Sequence, residues 1–172
     1  MIKVKSKIPF VIPEHDINLR VIRFLYIAEK LSYTQKGKLV LNIDKFIIYD
    51  FLVKHPYLLK EVVKLKNKKI DLKLFQEEVG SVATLYPSKS SLLDNNSAKV
   101  LIKLMVSQDL LKTIQYKNEL FFVISDHGKE YAKTLETDYI NRIKQLCDSL
   151  LVLRSTSTNG LKKMINPLIK GV

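Results

Sequence analysis

Ser97-Ala-Lys-Val-Leu-Ile-Lys-Leu-Met-Val106, Leu110-Leu-Lys-Thr-Ile-Gln115, Leu120-Phe-Phe-Val-Ile124 and Ser125-Asp-His-Gly128 follow one another with only short polar breaks. The first segment has the apolar spacing of a helix. The next two are short runs rich in β-branched and aromatic residues, separated by the turn Tyr116-Lys-Asn-Glu119, and predict an antiparallel hairpin. Ser125-Asp-His-Gly128, a Ser-x-x-Gly entry, then caps a further helix from about Lys129. Helix, hairpin and capped helix in this order decide the fold class.

C-terminal to this unit, Tyr131, Leu135, Tyr139, Ile143, Leu146, Cys147, Leu150 and Leu153 form a stripe that predicts one long helix to Leu153. Such a stripe exceeds what a small domain covers, and after the turn Ser155–Gly160 a tail repeats Leu161, Met164, Ile165, Leu168 and Ile169 at helical spacing, ended or kinked by Pro167. N-terminal to the unit, Asp16 caps a helix to about Leu31 with Ile17, Val21, Ile22, Leu25, Tyr26 and Ala28 on its apolar side. Leu39-Val-Leu41 reads as a short extended piece. Asn42 or Asp44 opens a second helix to Lys54 with Phe46, Ile47, Phe51 and Leu52 inward, and Tyr57 to Lys66 forms a third. Leu72, Leu74 and Phe75 begin a further helix ending at Gly80. The expected organisation is an N-terminal helical unit at 1–80, a Ser/Asn/Asp-rich connection at 81–96, the helix–hairpin–long-helix half at 97–153 and an amphipathic tail at 154–172. The fold class is mainly α with a small β-hairpin (α+β), winged helix-turn-helix-like, with a long C-terminal helix.

Composition narrows the function. The 172 residues are 47% hydrophobic and 27% charged, too apolar for a disordered chain, and five Gly, five Pro and no Trp disfavour an all-β architecture. No segment approaches the length of a membrane span and the N-terminus alternates Lys with apolar residues unlike a signal peptide, so a cytoplasmic protein with no membrane partner is expected. The single Cys147 cannot form an internal disulfide and lies on an apolar stripe, which reads as core or interface rather than a nucleophile.

Catalytic and cofactor patterns are missing. Gly37-Lys38-Leu39 lacks the hydroxyl of a phosphate loop, and His15, His55 and His127 share no ligand spacing, so no cofactor and no metal are assigned. Asp71-Leu-Lys73 matches the end of a PD-(D/E)xK nuclease motif, but the upstream carboxylates Asp50 and Glu61 fall on predicted helices rather than a neighbouring strand. The chain is expected not to be an enzyme.

The net charge of +12 invites a polyanion. Residues 1–70 hold 15 of the 29 Lys+Arg but 6 of the 17 Asp+Glu, so contact with duplex DNA is placed in that half. The densest basic run of the chain, Lys60, Lys64, Lys66, Lys68, Lys69 and Lys73, either grips phosphates or is a solvated helix end. Arginines are few: Arg20, Arg23, Arg142 and Arg154. The helix 97–106 is a poor base reader, because Val100, Leu101, Leu104 and Met105 are expected inward and Ile102 and Val106 beside them, leaving chiefly Lys99 and Lys103 for solvent. A docking role for this module fits better. The expected partner surface comprises Ile102, Val106, Leu135, Tyr139, Ile143, Leu146, Leu150, Leu161, Met164, Ile165 and Leu168.

The helix Arg20–Leu31, the segment Ile43-Asp-Lys-Phe-Ile-Ile-Tyr-Asp-Phe-Leu-Val-Lys-His-Pro56 and the ending Phe122-Val-Ile-Ser-Asp-His-Gly-Lys-Glu-Tyr-Ala132 resemble the middle component of ABC-type three-component bacterial systems, including the small accessory subunit of Lamassu-type anti-phage defence complexes. The resemblance covers roughly residues 15–153 and is closest at Tyr49-Asp50-Phe51 and His55-Pro56. It implies a non-catalytic subunit that docks on an SMC-like ATPase and links it to an effector, commonly a nuclease. The alternative is a free-standing winged-helix DNA-binding regulator, and a small metal-dependent nuclease is a weaker third.

Overall fold

The structure, a computed structural model, describes residues 16–80 and 94–169. The Lys-alternating N-terminus and residues 81–93 of the expected connection lie outside the described residues. Among the described residues the chain is mainly helical with one two-stranded antiparallel sheet. Its order is α1 (Ile17–Leu31), α2 (Ile43–Lys54), α3 (Pro56–Lys66), a single turn α4 (Gln76–Val79), α5 (Asn95–Ser107), β1 (Leu111–Tyr116), β2 (Glu119–Ile124), α6 (Asp126–Thr134), α7 (Asp138–Ser149), a 3-10 turn (Leu150–Leu153) and α8 (Thr158–Ile165).

Most helices start where a side chain accepts an otherwise unpaired backbone N–H. Asp16 accepts from Asn18, Asn42 from Lys45, Asp94 from Ser97, Ser125 from Gly128, Thr137 from Ile140 and Ser157 from Gly160. The Ser125–Gly128 start is the tightest: Ser125 Oγ also donates to the Asp109 carbonyl, and a Cβ on Gly128 would lie 2.3 Å from the Leu110 carbonyl oxygen. Only glycine permits that approach.

α1 and α2 form the spine. Phe24 to Ala28 are buried without interruption on α1, and Phe46 to Val53 on α2, so both helices are wrapped on nearly all sides. α1 packs against α2, α6, α7 and β2, while α2 packs against α3, α5 and α8. Apolar side chains from both halves of the chain thus enter one continuous core. The expected inward face of α1 holds except at its first residue, Ile17, which is exposed. Leu39–Leu41 is extended as expected, with Tyr33 bridged to Leu39 and the Phe122 N–H donating to the Leu41 carbonyl at 2.9 Å.

Three expectations need correction. The long helix to Leu153 is three pieces: the chain leaves α6 at Leu135, is extended there, and restarts at the Thr137 cap. A hydrophobic repeat continues across such a break because it records which side chains are buried, not whether the backbone is continuous. The helix expected over 72–80 shrinks to α4, since Leu72 is buried as part of an irregular segment. α5 is rotated relative to the expected face: Ala98, Leu101, Ile102 and Met105 are buried, and Val100 and Leu104 are exposed. The spacing 98/101/102/105 is a complete inward stripe, and small Ala98 is what allows close approach to the spine.

Candidate docking surface

Two sets of side chains around α5 stand out. On its outer face Val100 is 66% exposed and Leu104 39% exposed, four residues apart, alternating with the exposed Lys99 and Lys103. On its other flank a groove of about 630 Å³ opens between α5, the start of α2 and the hairpin. Ile43, Ile102, Val106 and Phe122 make its apolar lining, and Leu120, 47% exposed, stands at its edge. Lys99 and Lys103 line the α5 side, and Asp44 and Glu119 the opposite side.

Local sequence builds each wall. Lys117 and Asn118 both have positive φ, 49° and 62°, so the hairpin closes through a tight two-residue turn of the kind that matches strand twist. Tyr116 pairs with Glu119 and Thr113 with Phe122, which brings Thr113, Leu120 and Phe122 to the same groove. Asn42 both caps α2 and donates its amide to the Glu119 carboxylate, tying the hairpin tip to the spine.

Beneath α5 lies an ion cluster. Asp50 takes Arg23 Nε at 2.7 Å, Arg20 Nε at 3.1 Å and Lys54 Nζ at 3.5 Å. Arg20 reaches on to Ser97 Oγ at 2.6 Å and Arg23 to the Tyr139 hydroxyl at 3.4 Å, so one carboxylate on α2 braces α1, α5 and α7 together. Asp50 and Arg23 are each only 2% exposed. Burial, against the pull of Asp50, holds the Lys54 ammonium below the ordinary lysine pKa. A second bridge joins Arg142 of α7 to Glu78 of α4 through two hydrogen bonds of 2.7 and 2.6 Å, with Phe75 stacked 4.2 Å from the guanidinium.

The residues singled out by sequence separate into groups. Lys60 pairs with Asp71 at 3.0 Å and Lys64 with Glu61 at 3.5 Å, while Lys66, Lys68, Lys69 and Lys73 are exposed at and beyond the end of α3. Of the expected partner surface, Ile102, Ile143, Leu146, Leu150, Leu161 and Ile165 are buried inside the chain's own core. Val106, Leu135, Tyr139, Met164 and Leu168 are half-buried against it. The C-terminal stripe is therefore an intramolecular seam, because the breaks at Leu135–Thr137 and after Leu153 fold it back onto α1 and α3. Cys147 is fully buried, and desolvation pushes its thiol pKa upward. His55 ends α2 with Nδ1 2.7 Å from the Phe51 carbonyl, to which the Nδ1–H tautomer donates.

Sequence reading missed the Asp50 cluster and the apolar outer face of α5. The first had a signal: Arg20 and Arg23 are three residues apart beside the apolar run of α1, a spacing that puts both on one face. Chemically, the surface can bury apolar groups and pair carboxylates. Among the described residues no three His, Cys, Asp or Glu side chains converge to hold a metal ion, and no helix is long and apolar enough to cross a membrane.

Residues 31–163 match the family model described as ABC-three component (ABC-3C) system Middle Component 4. No curated protein and no solved structure matches the chain.

Proposed function

The chain belongs to the Middle Component 4 family of ABC-three-component systems, and from that premise we propose that it is the non-catalytic accessory subunit that docks on an SMC-like ATPase and links it to an effector nuclease, as in Lamassu-type defence complexes. α5, the hairpin and α6 act in this reading as a winged-helix-like docking module in the cytoplasm. The observation that supports it is the outer face of α5. A helix that reads bases offers Arg, Asn, Gln or Ser outward along its length. This one offers Val100 and Leu104 between lysines, an apolar pair that gains from burial against protein and gains nothing from a phosphate backbone.

The test is co-expression with the other components of the system. Val100→Asp with Leu104→Asp should leave circular dichroism unchanged, since both side chains are exposed, and should abolish co-purification by placing two charges in a desolvated seam. Retained co-purification would remove this face from the interface.

DNA contact is secondary in this reading and runs through Lys66, Lys68, Lys69 and Lys73. Replacing each with Gln should change stability by about 0.5 kcal/mol or less. The slope of log K against log salt for duplex binding by the assembly should fall by nearly one unit per lost contact. Tight, sequence-selective binding by the chain alone would instead favour a free-standing regulator.

A further inference from the structure

The groove on the inner flank of α5 carries charge on both walls over an apolar lining, and its walls are unlike. Lys99 and Lys103 are exposed, four residues apart, and make no ion pair among the described residues. Across from them, Asp44 and Glu119 present carboxylates, Glu119 already accepting from Asn42. We propose that this groove seats an acidic amphipathic helix of another component of the system, its aliphatic side chains on Ile43, Val106 and Leu120 over a floor made by the buried Ile102 and Phe122, and its Asp or Glu residues toward Lys99 and Lys103. This rests on the accessory-subunit reading and adds to it the chemistry of one partner segment.

Three features select that occupant. The hairpin meets the groove with a face rather than an open edge: Thr113 and Phe122 are cross-strand partners there, and the Phe122 N–H is already given to Leu41. A strand laid across that face finds no ladder to join, whereas a helix arrives with its backbone hydrogen bonds complete and contributes side chains at i, i+3, i+4 and i+7. A nucleic-acid strand carries a phosphate at every nucleotide and sets some of them against Asp44 and Glu119, whereas an amphipathic helix confines its carboxylates to the side that meets Lys99 and Lys103. A second copy of this chain brings a net +12 toward a net +12, while an acidic helix is steered in by the same charge.

The experiment uses the assembled complex, with a photo-crosslinking amino acid at Leu120 and, as a control on the α3 side, at Tyr57. Crosslinking from position 120 to a helical segment of another component, rich in Asp or Glu on one face, is expected. Lys99→Glu with Lys103→Glu should then weaken assembly by about tenfold or more, and exchanging carboxylates for lysines in the crosslinked segment should restore it. Assembly that survives the double charge reversal, or crosslinks only to DNA or to a second copy, overturns the groove proposal and leaves the accessory reading standing. If no component co-purifies with the unmodified chain, both fall together.

Discussion

The α5–hairpin region and the α7–α8 region both present apolar side chains at helical spacing, yet one leaves them at the surface and the other encloses them. In α7 and after it, Ile143, Leu146, Leu150 and Leu161 are at most 3% exposed because the chain reverses after Leu153 and packs α8 against α2 and α3. In α5 the inward stripe is satisfied by Ala98, Leu101, Ile102 and Met105, and Val100 and Leu104 are left over. The contrast teaches that an apolar residue implies burial somewhere only in number. Which stripe is core and which is spare depends on which side of the helix the rest of the chain reaches.

The strongest way to break the comparison is a matched pair of double substitutions. Leu146→Asp with Leu150→Asp should cost more than about 4 kcal/mol and unfold the chain, read as loss of helicity by circular dichroism, because two charges would enter a dry core. The same change at Val100 and Leu104 should leave helicity intact. Equal unfolding by both pairs would mean that α5 has no spare face.

A second test asks whether the two regions share one brace. Asp50→Ala strands Arg20, Arg23 and Lys54 without their carboxylate, at a cost of roughly 3–5 kcal/mol. Because Arg20 holds Ser97 and Arg23 holds Tyr139, hydrogen exchange should accelerate at the start of α5 and in α7 together. Acceleration in one alone would separate the regions.

The smallest effect is a pH tilt within the enclosed region. Lys45 lies under the Arg154 carbonyl, to which its ammonium donates at 3.0 Å, and burial lowers its pKa from 10.5 to about 8. Below pH 8 the lysine is charged in folded and unfolded chains, and the cost of burying that charge is present in full. Between about pH 8 and 10.5 the unfolded chain binds the proton more strongly, so stability rises with pH. Denaturation of wild type against Lys45→Met should therefore show the wild type gaining over this window. A flat difference would place the ammonium in water.

Much of the chain was legible locally. The cap at Asp16, the capped start at Ser125–Gly128, the end of α2 before Pro56, the hairpin and the end of α8 before Pro167 were all readable, each from a few residues whose chemistry acts within one turn, while the choice of Asn42 over Asp44 as the cap of α2 was not. Thr137-Asp138, a helix start of the same kind, was outvoted by the continuing stripe. The lysine run was visible as charge, but its division into paired Lys60 and Lys64 and exposed Lys66 to Lys73 depends on where Asp71 lies in space.

By itself, then, the sequence determined the helical class with one hairpin, through capping, turn and periodicity signals that need no distant partner. It also carried the family likeness, which is shown over residues 31–163 and includes Asp50, the carboxylate that the fold joins to Arg20 in one ion cluster. Only the tertiary structure decided which apolar faces were interior, that Asp50 serves three cations, and that α5, the hairpin and the start of α2 enclose a groove. The reason is physical: burial and pairing are properties of segments separated by many residues along the chain. A helix stripe reports that it wants cover, and long-range packing settles whether its own chain supplies it.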